Sequence, residues 1–304
     1  MRALVTGGNG FVGKHLLPVL AARFPDAAML APAFDVTDPD ATAAAIKDAT
    51  PDAVVHLAAV VGDPACARQP EIARAVNLDA SLKLIEESRR AGVHRFVFAS
   101  TCSNYGKMKD PNSYVDEESE LTPVSLYAET KVAVEKALLQ GGVTDVWCPT
   151  PLRFATIFGV SARMRFDLTV NEFTMEMLTK KQLKVFGEQF WRPYVHVRDA
   201  ARGIQLVLTS PAEKVSGRVF NVGATDQNYQ KQQLVELILP YAPGAAVEYV
   251  HKTEDPRDYR VSFTLITKQL GFQITRTVPQ GISEVASLVT NGLIKNFTDG
   301  KYRN

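Results

Sequence analysis

The stretch TGGNGFVG, residues 6–13, decides how the first half of this chain is interpreted. It follows an apolar run at residues 3–5 and opens a segment with helical spacing. Gly7, Gly10 and Gly13 allow a tight turn, close approach of the backbone to a pyrophosphate and close packing of the following helix, whose N-terminus faces the anion. The pattern predicts a dinucleotide-binding turn. The alternative is a glycine-rich turn without a ligand.

Short apolar runs alternate with helical patterns through the first half of the chain. Predicted strands lie at 3–5, 28–30, 53–57, 95–99 and 145–147, and predicted helices at 11–23, 41–47, 71–91 and 125–140. Nearly continuous apolar strands separated by helices are typical of a parallel sheet that is covered on both faces. After about residue 160 the pattern loosens, which predicts a smaller lobe at the carboxyl ends of the sheet.

Composition limits the class of protein. The 304 residues are 46% hydrophobic and 22% charged, which suffices for a globular core, and the net charge of +1 gives no reason to expect nucleic acid or a membrane surface as partner. The three cysteines, Cys66, Cys102 and Cys148, have no metal-type spacing, and their odd number argues against a disulfide framework. No apolar run approaches the roughly 20 residues that span a bilayer. We therefore expect a reduced, cytoplasmic protein without a metal site.

The specificity for the dinucleotide depends on the end of the second predicted strand. An acidic residue there would bind the ribose 2′-hydroxyl, and a basic one would favour a 2′-phosphate. The strand ends in Leu30, Ala31 and Pro32, and the next polar pair, Asp35 and Val36, could contact the adenine edge. Because no arginine or lysine is present, NAD is favoured over NADP, which stays open.

Two further stretches carry side chains that can transfer protons. STCSNYG, residues 100–106, follows the predicted strand at 95–99, and SLYAETK places Tyr127 and Lys131 one helical turn apart on the same face. An ammonium beside a phenol lowers the phenol pKa, which makes Tyr127 a usable acid or base, and Thr101 could hydrogen-bond the reacting oxygen. The alternative is a polar turn followed by a surface helix with an incidental tyrosine and lysine.

Taken in order, five motifs resemble the extended short-chain dehydrogenases/reductases that modify nucleotide sugars. They are TGGNGFVG, HLAA at 56–59, STCSNYG, the Y-x-x-x-K pair and RPYVHVRDAARG at 192–203, and the resemblance covers essentially the whole chain. It implies an α/β fold: a Rossmann-type doubly wound parallel sheet with a smaller mixed α/β C-terminal lobe. The dinucleotide domain would occupy 1–160, with some later segments returning to it, and 161–304 would mainly bind the nucleotide sugar.

The resemblance also implies site residues. Thr101, Tyr127 and Lys131 become the catalytic trio, because in the family the catalytic hydroxyl stands four residues before the tyrosine of a Tyr-Gly pair, which selects Thr101 over Ser100. The cofactor, NAD with NADP not excluded, would contact Tyr127 and Lys131 together with Gly7, Gly10, Phe11, Val12, Gly13, Asp35, Val36, Leu57, Ala58, Ala59 and Asn77.

The two residues after the catalytic hydroxyl separate the subfamilies. Hexose 4,6-dehydratases carry Asp-Glu there, and the decarboxylase branch carries a Glu at the second position, whereas this chain has Cys102 and Ser103. What remains needs only hydride transfer and one proton, namely 4-epimerisation or ketone reduction. A Cys102 thiolate could serve as base in 3- or 5-epimerisation, although in relatives that do this the cysteine stands one position later. We expect Cys102 and Ser103 to line the sugar pocket instead.

In the second lobe, the resemblance places three residues on the substrate. Asn171, in RMRFDLTVNEF, would bond a diphosphate oxygen, and Arg192 and Arg257 would make charge-assisted bonds to the same diphosphate. The alternative for each arginine is a solvated surface charge. Thr156 departs from the family, because many relatives carry a substrate-contacting asparagine there. The implied partner is a nucleotide-diphosphate sugar with a uridine, thymidine, cytidine or guanosine base.

Three functions follow. The leading one is an NAD-dependent nucleotide-sugar epimerase, in which Tyr127 takes the proton of the C4 hydroxyl, hydride leaves to NAD, the ketosugar turns over and hydride returns to its other face. The second is a 4-ketoreductase of deoxysugar synthesis that uses NAD(P)H. The third, a nonenzymatic NAD(P)-binding regulator, is disfavoured by the intact trio of Thr101, Tyr127 and Lys131.

A homodimer is also expected. The predicted helices at 71–91 and 125–140 carry apolar side chains on more than one face, which include Ile72, Val76, Leu82 and Ile85 in the first and Val132, Ala133, Ala137 and Leu138 in the second. Relatives pair such helices across a two-fold axis into a four-helix bundle. The alternative is that these residues only cover the sheet within one subunit.

Overall fold

A computed structural model of the chain describes residues 1–24, 29–30, 34–110, 113–140, 142, 144, 146–253 and 257–303. Its central element is a parallel sheet of six strands. These are β1 (Ala3–Thr6), β2 (Met29–Leu30), β3 (Ala53–His56), β4 (Arg95–Thr101), β5 (Cys148–Phe154) and, from the later part of the chain, β9 (Phe220–Val222). Their order is β2-β1-β3-β4-β5-β9, and every neighbouring pair is parallel. The chain leaves β1 to one side for β2 and then crosses to the other side for β3, so the crevice at which such sheets bind ligands lies at their carboxyl ends.

Helices cover both faces of this sheet. They are α1 (Gly13–Arg23), α2 (Pro39–Ala49), α3 (Asp63–Arg68), α4 (Pro70–Arg74), α5 (Ala80–Arg90), α6 (Leu126–Gln140), α8 (Val197–Thr209), α9 (Ala212–Val215) and α11 (Thr264–Leu270). On β1, Ala3 and Val5 pack on one face with α1 and α8, while Leu4 packs on the other with α2, α5 and α6. Both faces being buried explains why the strands read as unbroken apolar runs. The prediction of a doubly wound α/β fold is confirmed.

The second lobe has its own small sheets and core. Strands β6 (Thr156–Phe158), β8 (Trp191–His196) and β10 (Asn228–Gln230) form one sheet, and β7 (Gln182–Phe186) pairs in parallel with β11 (Ala246–Val250). Helices α7 (Thr169–Thr179), α10 (Lys231–Ile238) and α12 (Val278–Thr290) pack on them. The division of the chain at residue 160 stays a prediction.

Strand β5 lies next to, not at, the predicted strand 145–147. Residue 145 lies outside the described residues, and Trp147 makes only an isolated bridge with Thr144 before the strand begins at Cys148. The two prolines of CPTPLRF argue against a strand at this position, because proline cannot donate a hydrogen bond to a neighbouring strand. The Cys148 amide donates to His94 beside β4, so Pro149 and Pro151 face the other edge, where pairing with β9 begins only at Leu152. The prolines therefore cost the sheet no bond to β4.

The predicted helix at 71–91 is interrupted. Helix α4 ends at Arg74, a π-helical turn spans Ala75–Asp79, and α5 follows. Ala28, Ala31 and Pro32 of the predicted second strand lie outside the described residues. Among the described residues, no helix combines the length and the apolarity needed to cross a bilayer.

The apolar residues that suggested a dimer differ in exposure, and Val76, Ala133 and Ala137 are half-buried. Ile85, Val132 and Leu138 are buried within the single chain, and Ile85 and Leu138 belong to the core that covers the sheet. Ile72 and Leu82 are exposed, by 52% and 37%. Part of the pattern is therefore explained without a partner, and the homodimer stays a prediction that now depends on the exposed pair.

Candidate active site

A cavity of about 360 Å³ lies at the carboxyl ends of β1, β3, β4 and β5. This volume falls within the range of small-molecule sites. The structure brings twelve of the residues named from sequence to its wall: Gly7, Gly10, Phe11, Val12, Gly13, Leu57, Ala58, Ala59, Thr101, Ser103, Tyr127 and Lys131. The glycine turn and the candidate catalytic residues thus share one cavity, although they lie up to 124 positions apart in the chain.

The glycine turn has the shape that a pyrophosphate requires. Gly7 has φ +71°, and a Cβ there would lie 2.7 Å from the Ala58 amide nitrogen, so no other residue fits. A Cβ on Gly13, the first residue of α1, would lie 2.4 Å from the Gly8 carbonyl oxygen. The backbone is left open to the cavity, and the N-terminal amides of α1 lie beside it. These features fit a dinucleotide.

Asn77 supports the neighbouring wall from behind. Its Oδ1 accepts from the Val60 amide at 2.8 Å, and its Nδ2 donates to the Val60 carbonyl at 2.9 Å. The side chain is fully buried and does not line the cavity. In this structure Asn77, which lies in the π-helical turn, fixes the loop that follows β3, and its contact with the cofactor stays a prediction.

His56, from the HLAA motif, ties β1 to α5. Its Nδ1 lies 2.6 Å from Thr6 Oγ1 and its Nε2 lies 2.9 Å from Ser81 Oγ. Burial, with a smaller contribution from the charge of Lys131, lowers the pKa of His56 to about 3. The ring is neutral at physiological pH and structural in this position.

The predicted trio meets at the end of β4. Thr101 is the last residue of that strand, and its Oγ1 accepts from the Ser103 amide at 3.1 Å. Tyr127 and Lys131 lie one turn apart near the start of α6. Lys131 Nζ donates to the Ala99 carbonyl at 2.8 Å and lies 4.6 Å from the centre of the Phe98 ring. A hydroxyl, a phenol and an ammonium therefore face one space.

Burial dominates the acidity of both helix residues. It lowers the pKa of Lys131 to about 8. It raises the pKa of Tyr127 above its ordinary value, and the guanidinium of Arg165 is the main opposing charge. The expectation that Lys131 lowers the pKa of this phenol is corrected, because the ammonium is held at the Ala99 carbonyl and burial outweighs the charges around the phenol.

The two residues after Thr101 separate. Ser103 lines the cavity, and its Oγ accepts from the Tyr259 hydroxyl at 3.4 Å. Cys102 is only 1% exposed, lies outside the cavity wall and donates from Sγ to the Arg153 carbonyl at 3.3 Å. Burial raises the pKa of this thiol well above its ordinary value, so it stays protonated. The expected position of Cys102 in the sugar pocket is corrected, and the thiolate base has no support.

Asn171 is also occupied elsewhere. Its Oδ1 accepts from the Gly159 amide at 2.9 Å, and its Nδ2 donates to the carbonyls of Gly159 and Arg165, both at 2.9 Å. It is fully buried and does not line the cavity. In this structure the amide holds the loop between β6 and α7, and the bond from Asn171 to a diphosphate stays a prediction.

Arg192 and Arg257 lie outside the cavity wall. Arg192 is buried, donates to its neighbour's carbonyl on Trp191 at 2.7 Å and lies 5.5 Å from the centre of the Tyr259 ring. Arg257 pairs with Asp63, the first residue of α3, at 2.5 Å. Their contacts with a diphosphate stay predictions.

The residues expected near adenine are likewise not at the wall. Asp35 is exposed, and its Oδ1 accepts from the Thr37 hydroxyl at 2.7 Å and from the Thr37 amide at 2.9 Å, which lowers the pKa of the carboxyl. The Val36 carbonyl accepts from Thr42 at 3.4 Å. The adenine contact of Asp35 and Val36 stays a prediction.

Two arginines of the cavity wall were not predicted as site residues from the sequence. Arg163 and Arg165 both line it, from the loop between β6 and α7. Arg165 is only 8% exposed. It donates two hydrogen bonds to Asp167, from Nε to Oδ1 at 3.0 Å and from Nη2 to Oδ2 at 2.8 Å. The signal was present as RMRFD, where an aspartate two residues after an arginine can hold its guanidinium. Among the described residues that line the cavity, none carries a carboxyl group.

No group of three or more potential metal ligands occurs in the part of the chain that the structure describes. The candidate chemistry is built from Thr101, Tyr127 and Lys131, which line the cavity together with the glycine turn.

Comparison with known proteins identifies the family. The sequence model of the NAD dependent epimerase/dehydratase family matches residues 3–223. GDP-6-deoxy-D-mannose reductase of Pseudomonas aeruginosa is 29% identical over 94% of this chain and 96% of its own length. UDP-glucose 4-epimerase of Corynebacterium glutamicum is 24% identical over 96% and 97%. A solved structure of RMD from Pseudomonas aeruginosa complexed with NADPH covers 95% of this chain and 99% of its own, with a TM-score of 0.83 and 26% identity. The chain belongs to the NAD dependent epimerase/dehydratase family, which confirms the resemblance noted from the motifs.

Proposed function

We propose that this chain is an NAD(P)-dependent enzyme that epimerises a nucleotide-diphosphate sugar at C4 through a transient 4-keto intermediate. The observation that carries the proposal is a single cavity that joins the glycine turn to Thr101, Tyr127 and Lys131 and has no carboxyl group on its described wall. Dehydration needs a second acid and a second base, whereas epimerisation needs one proton acceptor that later returns the proton. The cavity supplies that one group.

The glycine turn and α1 would hold the pyrophosphate of the cofactor through backbone amides. NAD(P), when bound, supplies a hydride acceptor and donor for C4 of the sugar. The related Pseudomonas aeruginosa structure complexed with NADPH supports a nicotinamide cofactor for this chain. NAD is favoured on the absence of an arginine or lysine after the second strand, and NADP stays open.

The proton is handled by the chain itself. Tyr127 accepts the proton of the C4 hydroxyl and returns it after the sugar has presented its other face. Since burial raises the pKa of this phenol, its anion needs a nearby positive charge. The Arg165 guanidinium is the main one, and the Lys131 ammonium lies 5.9 Å from the centre of the ring. Thr101 donates a hydrogen bond to the same sugar oxygen, which keeps it close to the phenol. Together these side chains hold and return the proton at the C4 oxygen, so oxidation of C4 can be reversed by the hydride that the cofactor returns.

Ketone reduction is the second candidate. It uses the same three side chains, with Tyr127 as the proton donor, and it is favoured by the 29% identity to GDP-6-deoxy-D-mannose reductase over nearly the full length of both chains. The two candidates differ in how the cofactor behaves. An epimerase returns each hydride to the substrate, whereas a reductase consumes NAD(P)H in every turnover.

The experiment that tests the proposal begins with protein purified without added cofactor. Bound nicotinamide nucleotide is released by denaturation and identified, and the native protein is incubated with UDP-, dTDP-, CDP- and GDP-hexoses without reductant. Retained NAD and conversion of a hexose into its C4 epimer are expected. If the site is empty, no epimer forms and a nucleotide 4-keto sugar oxidises NADPH stoichiometrically, the chain is a ketoreductase and not an epimerase. Inactivity in both assays would contradict the proposal that this chain is a nucleotide-sugar enzyme.

A further inference from the structure

A polar network lies beneath the STCSNYG turn, and the proposed chemistry does not yet use it. Glu135 of α6 and Arg153 of β5 form an ion pair whose side chains are only 3% and 6% exposed. Arg153 donates through Nη2 to Glu135 Oε2 at 2.7 Å and through Nε to the same oxygen at 3.1 Å. The pair is thus a forked, charge-assisted contact in the interior of the chain.

Both partners also hold the turn. The Ser100 hydroxyl and the Asn104 amide, the latter at 2.8 Å, donate to Glu135 Oε1. Arg153 Nη1 donates to the Tyr105 hydroxyl at 3.0 Å. Residues directly before and shortly after Thr101 are therefore bonded to one ion pair, so the position of Thr101 depends on it.

The same pair is joined to the other half of the site. Glu135 follows Tyr127 and Lys131 at intervals of four residues, so the three side chains lie along one stripe of α6. This stripe faces the sheet, because Lys131 reaches the Ala99 carbonyl and Glu135 reaches Ser100 and Arg153. The network therefore fixes the helix that carries two catalytic candidates against the turn that carries the third.

Stability alone is a weak reason for such a pair. Removing two charges from water costs as much as their attraction returns, and a well-packed apolar pair of similar volume often serves equally well. What an ion pair with five hydrogen bonds adds is a defined geometry. Displacement of a reacting group by about 1 Å can cost about a hundredfold in rate.

The carboxylate also acts on Lys131 through space. Burial lowers the pKa of Lys131, while the charges of Cys66, in its thiolate form, and of Glu135 raise it. The other groups that face the ammonium are the Phe98 ring, the Tyr127 ring and the neutral His56. Burial raises the pKa of the Cys66 thiol. Glu135 is therefore the negatively charged group among those named around the Lys131 ammonium.

We propose that Glu135, clamped by Arg153, is a positioning residue of the reaction: it fixes the STCSNYG turn, which carries Thr101, against α6, which carries Tyr127 and Lys131. This inference rests on the proposed function. Glu135 does not line the cavity, so its role is to position Thr101, Tyr127 and Lys131, which do.

The test compares Glu135→Gln and the double variant Glu135→Gln/Arg153→Met with the parent. The double variant removes both charges, so it leaves no unpaired charge in the interior if the single variant fails to fold. Thr150→Val is the matched control, because Thr150 lies on the same strand as Arg153, is 1% exposed and makes its side-chain bond to the Val215 carbonyl instead. Each protein is measured for kcat, KM, thermal unfolding and the pH dependence of kcat/KM.

We expect both network variants to lose roughly 10- to 100-fold in kcat while KM changes by less than about threefold. The alkaline limb of kcat/KM should move to lower pH, because Lys131 loses its proton more easily without the carboxylate. Thr150→Val should lower the unfolding temperature and leave kcat and the pH limb unchanged. A folded network variant with the parent's kcat and alkaline limb would overturn the proposal.

If neither network variant folds, Ser100→Ala decides, because it removes one bond from the turn to Glu135 without removing a charge. A fall in kcat supports the proposal, and an unchanged kcat overturns it. If the parent itself converts no nucleotide sugar, the proposed function fails separately. The network is then tested by titrating cofactor-free protein with NADH across the pH range. A loss of affinity that begins at lower pH in the folded network variant supports the role of Glu135, and an unshifted loss contradicts it.

Discussion

The ammonium of Lys131 lies 5.9 Å from the centre of the Tyr127 ring and is anchored 2.8 Å from the Ala99 carbonyl. The lysine is thus positioned by a backbone carbonyl near the end of β4, not by the phenol. It supplies a fixed positive charge beside the tyrosine, and the space between them is open to the cavity that both residues line. This arrangement places positive charge near the phenolate form of Tyr127, which is the form that accepts a substrate proton and becomes neutral when it does.

Tyr127→Phe should remove most of the activity and leave the cofactor site intact. The change deletes one hydroxyl and keeps the ring, and loss of a general acid or base costs about 10²- to 10⁴-fold in rate. Turnover and NADH binding are measured on the same preparation. Turnover within about threefold of the parent would contradict the role of Tyr127.

Activity should fall as the pH rises through about 8. Burial lowers the pKa of Lys131 to about 8, so its charge is present below that pH and is lost above it. The pH profile of kcat/KM measures this limb. Lys131→Met should be weakly active and lack the limb. A parent profile that stays flat well above this pH would show that the charge of Lys131 is not needed.

Acid should destabilise the fold through His56. Its pKa is about 3 in the folded chain and about 6.5 when unfolded, so the unfolded state binds a proton first as the pH falls. Stability is therefore full above pH about 6.5 and decreases progressively toward about 3, by a few kcal/mol. Denaturant unfolding across this range measures the slope. His56→Gln should show a shallower slope, and equal slopes would mean that other groups control acid unfolding.

Gly13→Ala should weaken cofactor binding strongly. The added Cβ would lie 2.4 Å from a backbone oxygen, so the turn and the start of α1 must separate. Gly300→Ala is the control, because a Cβ there meets nothing within 4 Å. Isothermal titration with NADH and NADPH compares the two variants. Parent affinity in Gly13→Ala would show that the cofactor does not depend on this turn.

The structure also predicts which arginine binds the substrate diphosphate. Arg165 lines the cavity, whereas Arg192 and Arg257 do not, so Arg165→Met should weaken binding of the nucleotide diphosphate by about 1.5–3 kcal/mol, the range for bonds to charged groups. The exposed Arg198 provides the control, Arg198→Met. If Arg192→Ala and Arg257→Ala lower the affinity and Arg165→Met does not, the original assignment from the family holds.

Features set by local backbone chemistry were predictable from sequence. The glycine turn needs only its own spacing, and the position of Thr101 follows from its strand, so both were located correctly beside the cavity. The prolines of CPTPLRF concealed β5, because their tolerance depends on where β9 begins to pair, which is a tertiary fact.

Side-chain direction was not predictable in the same way. A motif fixes a position along the chain, but Cys102, Asn77 and Asn171 turn inward to backbone groups that only the folded chain brings near. Arg165 was overlooked for the complementary reason, since its partner Asp167 is local but the cavity that it faces is not.

The homodimer remains testable through its exposed residues. Ile72 and Leu82 would be covered in a dimer built on these helices, so sedimentation equilibrium at micromolar concentration should give twice the 33.3 kDa chain mass. Leu82→Glu should shift the parent toward single chains. A parent mass of one chain across that range would contradict the dimer.

The most direct measurement of the central claim uses nucleotide hexoses that carry deuterium at C4. The cofactor-loaded parent and Tyr127→Phe are incubated with the UDP-, dTDP-, CDP- and GDP-sugars, and the products are examined by NMR and mass spectrometry. The account predicts that the parent inverts C4 of at least one sugar with the deuterium retained at that carbon, and that Tyr127→Phe forms almost none of this product. C4 left unchanged in every sugar by the loaded parent, or equal conversion by Tyr127→Phe, would contradict it.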